Sequence, residues 1–183
     1  MAMIDIYNKN HYYLHKRYKI WHGDFMLNEI KSEACAVNGQ DYLVRWRQAM
    51  TDGNDAFSSG RYREAIGHYD LALTTATDLF GQADDADSAI AAYVIAHHNL
   101  ADTYERLGSQ ALQRLHLCLA HEKLCAAMND HALPQVWQLA AMHHSRRTYG
   151  ELTRFLSLHP QDNQAQLAAS QGAAGITLDI AMH

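Results

Sequence analysis

The sequence has 183 residues and a formal net charge of −5, with a pI near 6.2. This mild acidity gives no reason to expect a nucleic-acid partner, because phosphates call for a clustered basic surface. No apolar run approaches the ~18 residues that a membrane-spanning helix needs, so we expect no membrane association. Hydrophobic residues make up 48% of the chain, which is enough for a sizeable core in one domain.

The cysteine pattern indicates the cellular compartment in which the protein is expected. The three cysteines, Cys35, Cys118 and Cys125, form no C-x-x-C pair, and an odd number without such spacing is typical of reduced thiols. Polar residues interrupt the apolar segment that a secretory signal would need near the N-terminus. We therefore predict a cytoplasmic protein.

Residues 1–40 are predicted to form an N-terminal extension, with a short helix at about 24–36. Its first part interleaves aromatic and basic residues: Tyr7, Lys9, Tyr12, Tyr13, Lys16, Arg17, Tyr18, Lys19 and Trp21. Such a pattern can stack on bases and neutralise phosphates, or its rings can pack on a helical domain. We favour packing, because four cations in an acidic chain form a weak electrostatic footprint.

Helical periodicity becomes clear from residue 41, where we predict helices at 41–58 and 61–80. Gly60 suits the turn between them, because glycine accepts a positive φ without steric cost. Apolar side chains recur at spacings of three and four along the second helix, which places them on one face: Tyr62, Ala65, Ile66, Tyr69, Ala72 and Leu73.

A polar segment at residues 81–87 interrupts this periodicity and predicts a loop. Asp87 or Ser88 can then cap the next helix, which we predict over 88–107. Gly108 is expected to end it in a second glycine turn.

The last part of the chain predicts three more helical segments. The first runs from about 110 to 128, and Pro134 follows at a first-turn position, where its missing N–H is harmless. We predict helices at about 133–147 and 150–158. Residues 161–183 are rich in Gln, Ala and Gly, and we predict a weakly ordered C-terminal tail there.

Residues 53–73 carry a recognisable signature. Their sequence, GNDAFSSGRYREAIGHYDLAL, resembles a tetratricopeptide (TPR) repeat. The small Gly53 and Ala65 would let the two helices of a hairpin approach closely, and Tyr62 and Tyr69 would fill the space toward neighbouring helices. The resemblance implies an all-α fold, an α–α superhelix of antiparallel helical hairpins, over residues 41–160.

A looser second copy surrounds Gly108, where Ala101 takes the small position and Tyr104 the aromatic one. Its second helix departs from the family with Gln113 at a small-residue position, and the copies lie further apart than the usual ~34 residues. A third hairpin at 133–158 keeps only its closing residues and would cap the stack. The chain is thus similar to small bacterial TPR-like proteins with about three hairpins.

The resemblance also implies a binding surface. In such repeats the first helix of each pair lines a concave groove that takes an extended or helical peptide. We therefore predict a protein–protein interaction module, an adaptor or chaperone-like scaffold, that binds another protein or a peptide. The alternatives are a self-associating structural protein that forms a homodimer and, less favoured, a metal-binding helical protein. The predicted groove residues are Arg47, Met50, Asn54, Ser58, Ile95, Asn99, Asp102 and Arg106.

One specialised form of this groove can be judged from the sequence. Asn54 and Asn99 match the asparagines of chaperone-tail-binding repeats, which clamp a terminal carboxylate. Met50 stands at the first lysine position, and Asp130 and Pro134 replace the cations of the third repeat. A carboxylate held by neutral groups loses charge-assisted hydrogen bonds, so we do not expect such a clamp.

Thirteen histidines raise the question of a metal site. Cys118, His121 and Cys125 share one helical stripe and offer zinc ligands, whereas the adjacent pairs His97-His98 and His143-His144 diverge by about 100° on a helix. We expect buried cysteines and a hydrogen-bonded histidine instead. No catalytic or phosphate-binding pattern occurs, so we predict no enzymatic activity, no metal and no cofactor.

Overall fold

The structure, a computed structural model, describes residues 37–180, with side chains over 42–171. Over that range the chain forms six α-helices and no strand: α1 (Val37–Ser58), α2 (Tyr62–Leu79), α3 (Ala86–Arg106), α4 (Gln110–Met128), α5 (Gln135–Leu158) and α6 (Asn163–Ile180). The predicted all-α class is confirmed for these residues, and none of these helices is long and apolar enough to cross a membrane. The predicted helix at 24–36 and the interleaved aromatic and basic residues lie outside the described range.

Two helix ends share one turn geometry. Gly60 follows α1 with a φ of +74°, and Gly108 follows α3 with a φ of +70°. At both turns the glycine N–H donates to the carbonyl three residues back at 3.0 Å, and the next N–H donates to the carbonyl five residues back at 2.9 Å. This is the Schellman pattern, in which a left-handed residue closes a helix. The predicted turn roles of both glycines are confirmed.

Helices α1 and α2 pack against each other through small side chains. Ala56 of α1 and Ala65 and Ala72 of α2 are each 0% exposed, so the two backbones approach closely along the hairpin. Near the turn, the rings of Phe57 and Tyr62 meet edge to face with their centroids 5.3 Å apart. Tyr62, on the apolar face predicted for the second helix, therefore contacts α1.

Helix α3 is the central helix of the described chain and packs against α2, α4 and α5. Residues 88–101 are all buried, which is the behaviour of a helix surrounded by neighbours rather than one on a surface. Its first half shares a core with α2, α4 and α5: Leu79, Ala86, Ala89, Ile90, Val94, Leu124, Ala127, Trp137, Ala140 and Ala141.

A second core lies near the far end of α3, where α4, α5 and α6 meet. It contains Ala101, Leu117, Cys118, Leu152, Phe155, Ala165 and Ala168. Arg114 on α4 donates to Asp162 at 3.0 Å, and Asp162 in turn accepts from the N–H of Ala165 at 3.1 Å. The same carboxylate therefore caps the start of α6 and ties it to α4.

The predicted break between residues 147 and 150 is wrong. The structure has one continuous helix, α5, from Gln135 to Leu158, so 133–158 is not a hairpin. Gly150 is exposed with nothing within 4 Å of its Cβ position. A helical glycine costs about 1 kcal/mol relative to alanine, and the helix tolerates that cost because the buried Leu152 and Phe155 lie beyond it.

Within residues 161–183, for which we predicted weak order, the structure has the helix α6 at Asn163–Ile180. Ala165 and Ala168 of α6 are 0% exposed and join the second core. A composition rich in alanine and glutamine looks poor in core residues. Alanine nevertheless has the highest helix propensity, and its small side chain packs closely against α4.

Candidate partner-binding surface

The structure divides the eight predicted groove residues by accessibility. Met50, Ile95 and Asn99 are buried, with 5%, 7% and 6% of their surface exposed. Arg47, Asn54 and Asp102 are partly exposed, and Ser58 and Arg106 are exposed. The two helices that carry these residues, α1 and α3, also contact each other.

The two predicted asparagines are hydrogen-bonded to each other. Nδ2 of Asn99 on α3 donates to Oδ1 of Asn54 on α1 at 3.2 Å. The hydroxyl of Tyr69 on α2 donates to the same oxygen at 2.8 Å. Asn54 therefore links three helices, and its amide oxygen accepts two bonds from within the chain. We expected both asparagines to bind a partner directly, and the geometry gives them a positioning role as well.

An arginine that the sequence analysis missed lies beside the predicted groove residue Asp102. Nη2 of Arg154 on α5 lies 3.7 Å from Asp102 and 3.4 Å from Glu105, both on α3. Its Nε lies 3.1 Å from Glu151, one turn away. Burial alone would lower the pKa of Arg154, but the three carboxylates hold it above its ordinary value. The guanidinium therefore stays charged and fastens α5 to the acidic end of α3.

A pair of histidines lies between α3 and α4. Nδ1 of His97 and Nδ1 of His116 are 3.1 Å apart, so one ring donates to the other. Tyr104 stacks on His116 with an 11° angle between the rings, and Tyr93 meets His97 edge-on. Burial lowers the pKa of His97 to about 3, with added repulsion from His116 and His98, and burial lowers the pKa of His116 to about 4. Both rings are therefore neutral in the fold.

In the stripe of Cys118, His121 and Cys125, Cys118 is buried and His121 is hydrogen-bonded, as expected, whereas Cys125 is only partly buried. His121 is 1% exposed, and its Nδ1 is hydrogen-bonded to Oγ1 of Thr148 at 2.9 Å. Sγ of Cys125 lies 3.6 Å from its Nε2, whereas Cys118 joins the second core. Burial raises the pKa of the Cys118 thiol to about 11 and also raises that of Cys125. Both sulfurs are therefore held as thiols.

Comparison with known proteins gives one result. A family model described as a protein of unknown function, DUF2753, matches residues 44–182. The chain belongs to the DUF2753 family. No curated protein and no solved structure matches it.

The DUF2753 match begins inside α1 and includes α2, α3, α4, α5 and α6 in full. All eight predicted groove residues lie inside the matched region, as do Tyr69, Arg154 and the His97–His116 pair. The predicted N-terminal extension, residues 1–40, lies outside it.

Proposed function

We propose that this DUF2753 protein is a cytoplasmic protein–protein interaction module, an adaptor or chaperone-like scaffold built as a TPR-like stack. It would bind a peptide or protein segment along the side formed by α1 and α3. The observation that carries the proposal is the 3.2 Å hydrogen bond between Asn99 and Asn54. It ties together α1 and α3, the first helices of two successive hairpins in the proposed stack.

The repeated turn geometry supports the same proposal. Gly60 and Gly108 close their helices with matching hydrogen bonds, as expected if α1–α2 and α3–α4 are two copies of one hairpin. Stacked hairpins place equivalent helices side by side and create an extended binding surface. The two copies would then present α1 and α3 to the same partner.

The accessible members of the predicted groove indicate what the partner would offer. Arg47 and Arg106 carry positive charge, Asp102 carries negative charge, and Ser58 offers a hydroxyl. A segment with charges of both signs would complement this surface, and charged rims contribute to association rate and specificity. The buried Met50, Ile95 and Asn99 would support that surface from beneath.

The experiment is an affinity pull-down from the native cell, analysed by mass spectrometry, with two matched charge reversals. Arg106→Glu changes the proposed surface, and Arg63→Glu makes the same change on the exposed side of α2. A partner recovered with wild type and with Arg63→Glu, and lost with Arg106→Glu, supports the proposal. Loss with Arg63→Glu alone would move the binding site to α2. Thermal melting of both variants controls for folding.

A second candidate function, self-association as a homodimer, is favoured by a stripe of exposed leucines on α4. Leu112, Leu115 and Leu119 are 39%, 45% and 41% exposed, and their spacing places them on one side of the helix. A run of exposed apolar side chains on one helix side is a common feature of interfaces. Light scattering of wild type and Leu115→Glu tests it: a dimer that becomes a monomer in the variant favours self-association, and a monomeric wild type excludes it.

A further inference from the structure

Two histidines of α5 and one aspartate of α3 bring their polar atoms together. Nε2 of His144 lies 3.0 Å from Oδ1 of Asp87, and Nδ1 of His143 lies 3.4 Å from the same oxygen. One ligand atom from each of the three residues lies within 4.8 Å of the other two. Among the described residues, no other group of three His, Cys, Asp or Glu side chains is close enough to share a metal ion.

Local structure explains why Asp87 reaches these histidines. Asp85 caps α3 by accepting from the N–H of Ser88 at 3.2 Å and from its hydroxyl at 2.6 Å. This cap fixes the first turn of α3, which carries Asp87. Small side chains in a shared core let α3 and α5 lie close together: Ala86, Ala89, Ala140 and Ala141.

We propose that Asp87, His143 and His144 bind one divalent transition-metal ion, and that zinc is the ion that suits these donors. Imidazole nitrogen and carboxylate oxygen are ordinary zinc ligands. Ligand atoms about 2.1 Å from a tetrahedral zinc ion lie roughly 3.4 Å apart, and the two nitrogen–oxygen distances here are 3.0 and 3.4 Å. Water would complete the coordination, as in zinc sites with three protein ligands.

The divergence of adjacent helical positions argued against this histidine pair in the sequence. In the structure the two side chains nevertheless approach the same oxygen, because they use different ring nitrogens, Nδ1 of His143 and Nε2 of His144. Their ring centroids are 4.9 Å apart. The third ligand comes from a neighbouring helix. The side chain of His144 is only 9% exposed and is held in place, whereas that of His143 is 72% exposed and can turn toward the ion.

Some of the charged side chains around the site oppose the binding of a cation, and others favour it. Arg147, on the same helix as the histidines, acts electrostatically on His144 and opposes the binding of a cation. Asp84 and Asp85 precede Asp87 in the chain, so the loop before α3 adds negative charge near the site. The carboxylate of Asp87 is itself 61% exposed, which leaves it reachable by an ion from solvent.

The test is a zinc titration of the metal-free, full-length protein by calorimetry, in competition with a soluble chelator. The decisive variants are His143→Ala and Asp87→Asn, because both side chains are exposed and their loss should not unfold the protein. The controls are His131→Ala and Asp78→Asn, which change the same residue types at exposed positions on other segments. Melting curves without zinc check that each variant folds. If Asp87→Asn does not fold, the affinity of His143→Ala for zinc decides the test.

Wild type should take up one zinc ion per chain at a site that each decisive variant weakens by roughly tenfold or more. Loss of even an outer-shell partner commonly costs that much. Both controls should bind like wild type. Magnesium should not compete, because it prefers oxygen ligands. Zinc uptake that is absent in wild type, or unchanged in the decisive variants, would overturn the proposal and leave Asp87 as a hydrogen-bond partner of the two histidines. The pull-down on Arg106 is independent of either result.

Discussion

Gly53 of α1 lies against the ring of Tyr69 of α2. A Cβ atom at Gly53 would lie 2.5 Å from Cε1 of Tyr69 and 2.7 Å from its Cδ1. The tyrosine is 1% exposed, and its hydroxyl is hydrogen-bonded to Asn54 at 2.8 Å, so the ring has little freedom to move. The missing side chain at position 53 is what allows the hairpin to close and Tyr69 to reach Asn54.

The first prediction follows from this contact. We expect Gly53→Ala to lower the free energy of unfolding by about 1–3 kcal/mol, because overpacking outweighs the ~1 kcal/mol that alanine gains in a helix. Gly67→Ala is the matched control: Gly67 is on the exposed side of α2 and meets nothing within 4 Å. That variant should gain up to about 1 kcal/mol. Urea denaturation measures both, and a stabilised Gly53→Ala would show that the contact imposes no constraint.

The second prediction concerns the hydrogen bonds around Asn54. Asn54→Ala removes the oxygen that accepts hydrogen bonds from Tyr69 and Asn99. It should lower the free energy of unfolding by about 1–3 kcal/mol, because two buried donors lose this acceptor. Tyr69→Phe should cost about 1 kcal/mol. The double variant should cost less than the sum, with a coupling of about 0.5–1.5 kcal/mol. Strict additivity would show that the bond from Tyr69 to Asn54 contributes nothing.

The third prediction is loss of stability in mild acid. The folded pKa values of His97 and His116, about 3 and about 4, lie below the ~6.5 of an unfolded histidine. The unfolded chain therefore takes up protons first as the pH falls. The stabilisation is complete above about pH 6.5 and is lost below it, at about 1 kcal/mol per histidine for each pH unit down to the folded pKa values.

Urea denaturation at pH 7.5, 6.5 and 5.5 measures this effect. His116→Gln removes one titrating ring and keeps a polar neighbour for His97, so its stability should fall less steeply than that of wild type. His131→Gln, at an exposed position before α5, serves as the control and should keep the wild-type slope. Equal slopes in all three proteins would contradict the assignment.

The fourth prediction contrasts a partly buried with an exposed arginine. Arg154→Ala leaves Asp102, Glu105 and Glu151 without their shared cation, and we expect a cost of about 2–4 kcal/mol. Arg61→Ala breaks a shorter ion pair, 2.7 Å to Glu64, in which both side chains are about half exposed, and it should cost under about 1 kcal/mol. The melting temperatures of the two variants, measured side by side, check this order. A larger loss of stability in Arg61→Ala than in Arg154→Ala would show that burial does not strengthen the ion pairs of Arg154.

Local sequence patterns predicted those turns whose position depends on a single residue. Gly60 and Gly108 mark turns because positive φ favours glycine, and both turns lie where we predicted them. Gly150 misled us because a helix can tolerate a glycine when residues on either side are buried. Ala165 and Ala168 were missed because alanine gives no strong apolar signal, although it packs where a neighbouring helix lies close.

The site features that the sequence could not give all depend on distances between helices. His116 gave no signal as the partner of His97, and Arg154 gave none as the cation of Asp102. Asp87 was predicted as a possible helix cap, but Asp85 takes that role and leaves Asp87 facing His144. Periodicity shows which face of a helix a residue is on, but it does not show which side chain of another helix lies opposite.

Site-specific photo-cross-linking in the native cell tests the proposal that α1 and α3 present the partner-binding surface. A photoreactive residue at Arg106 would report on the proposed surface, and one at Arg63 on the exposed side of α2. We expect a discrete adduct with another protein from position 106 and none from position 63. Adducts from position 63 with none from position 106 would contradict it.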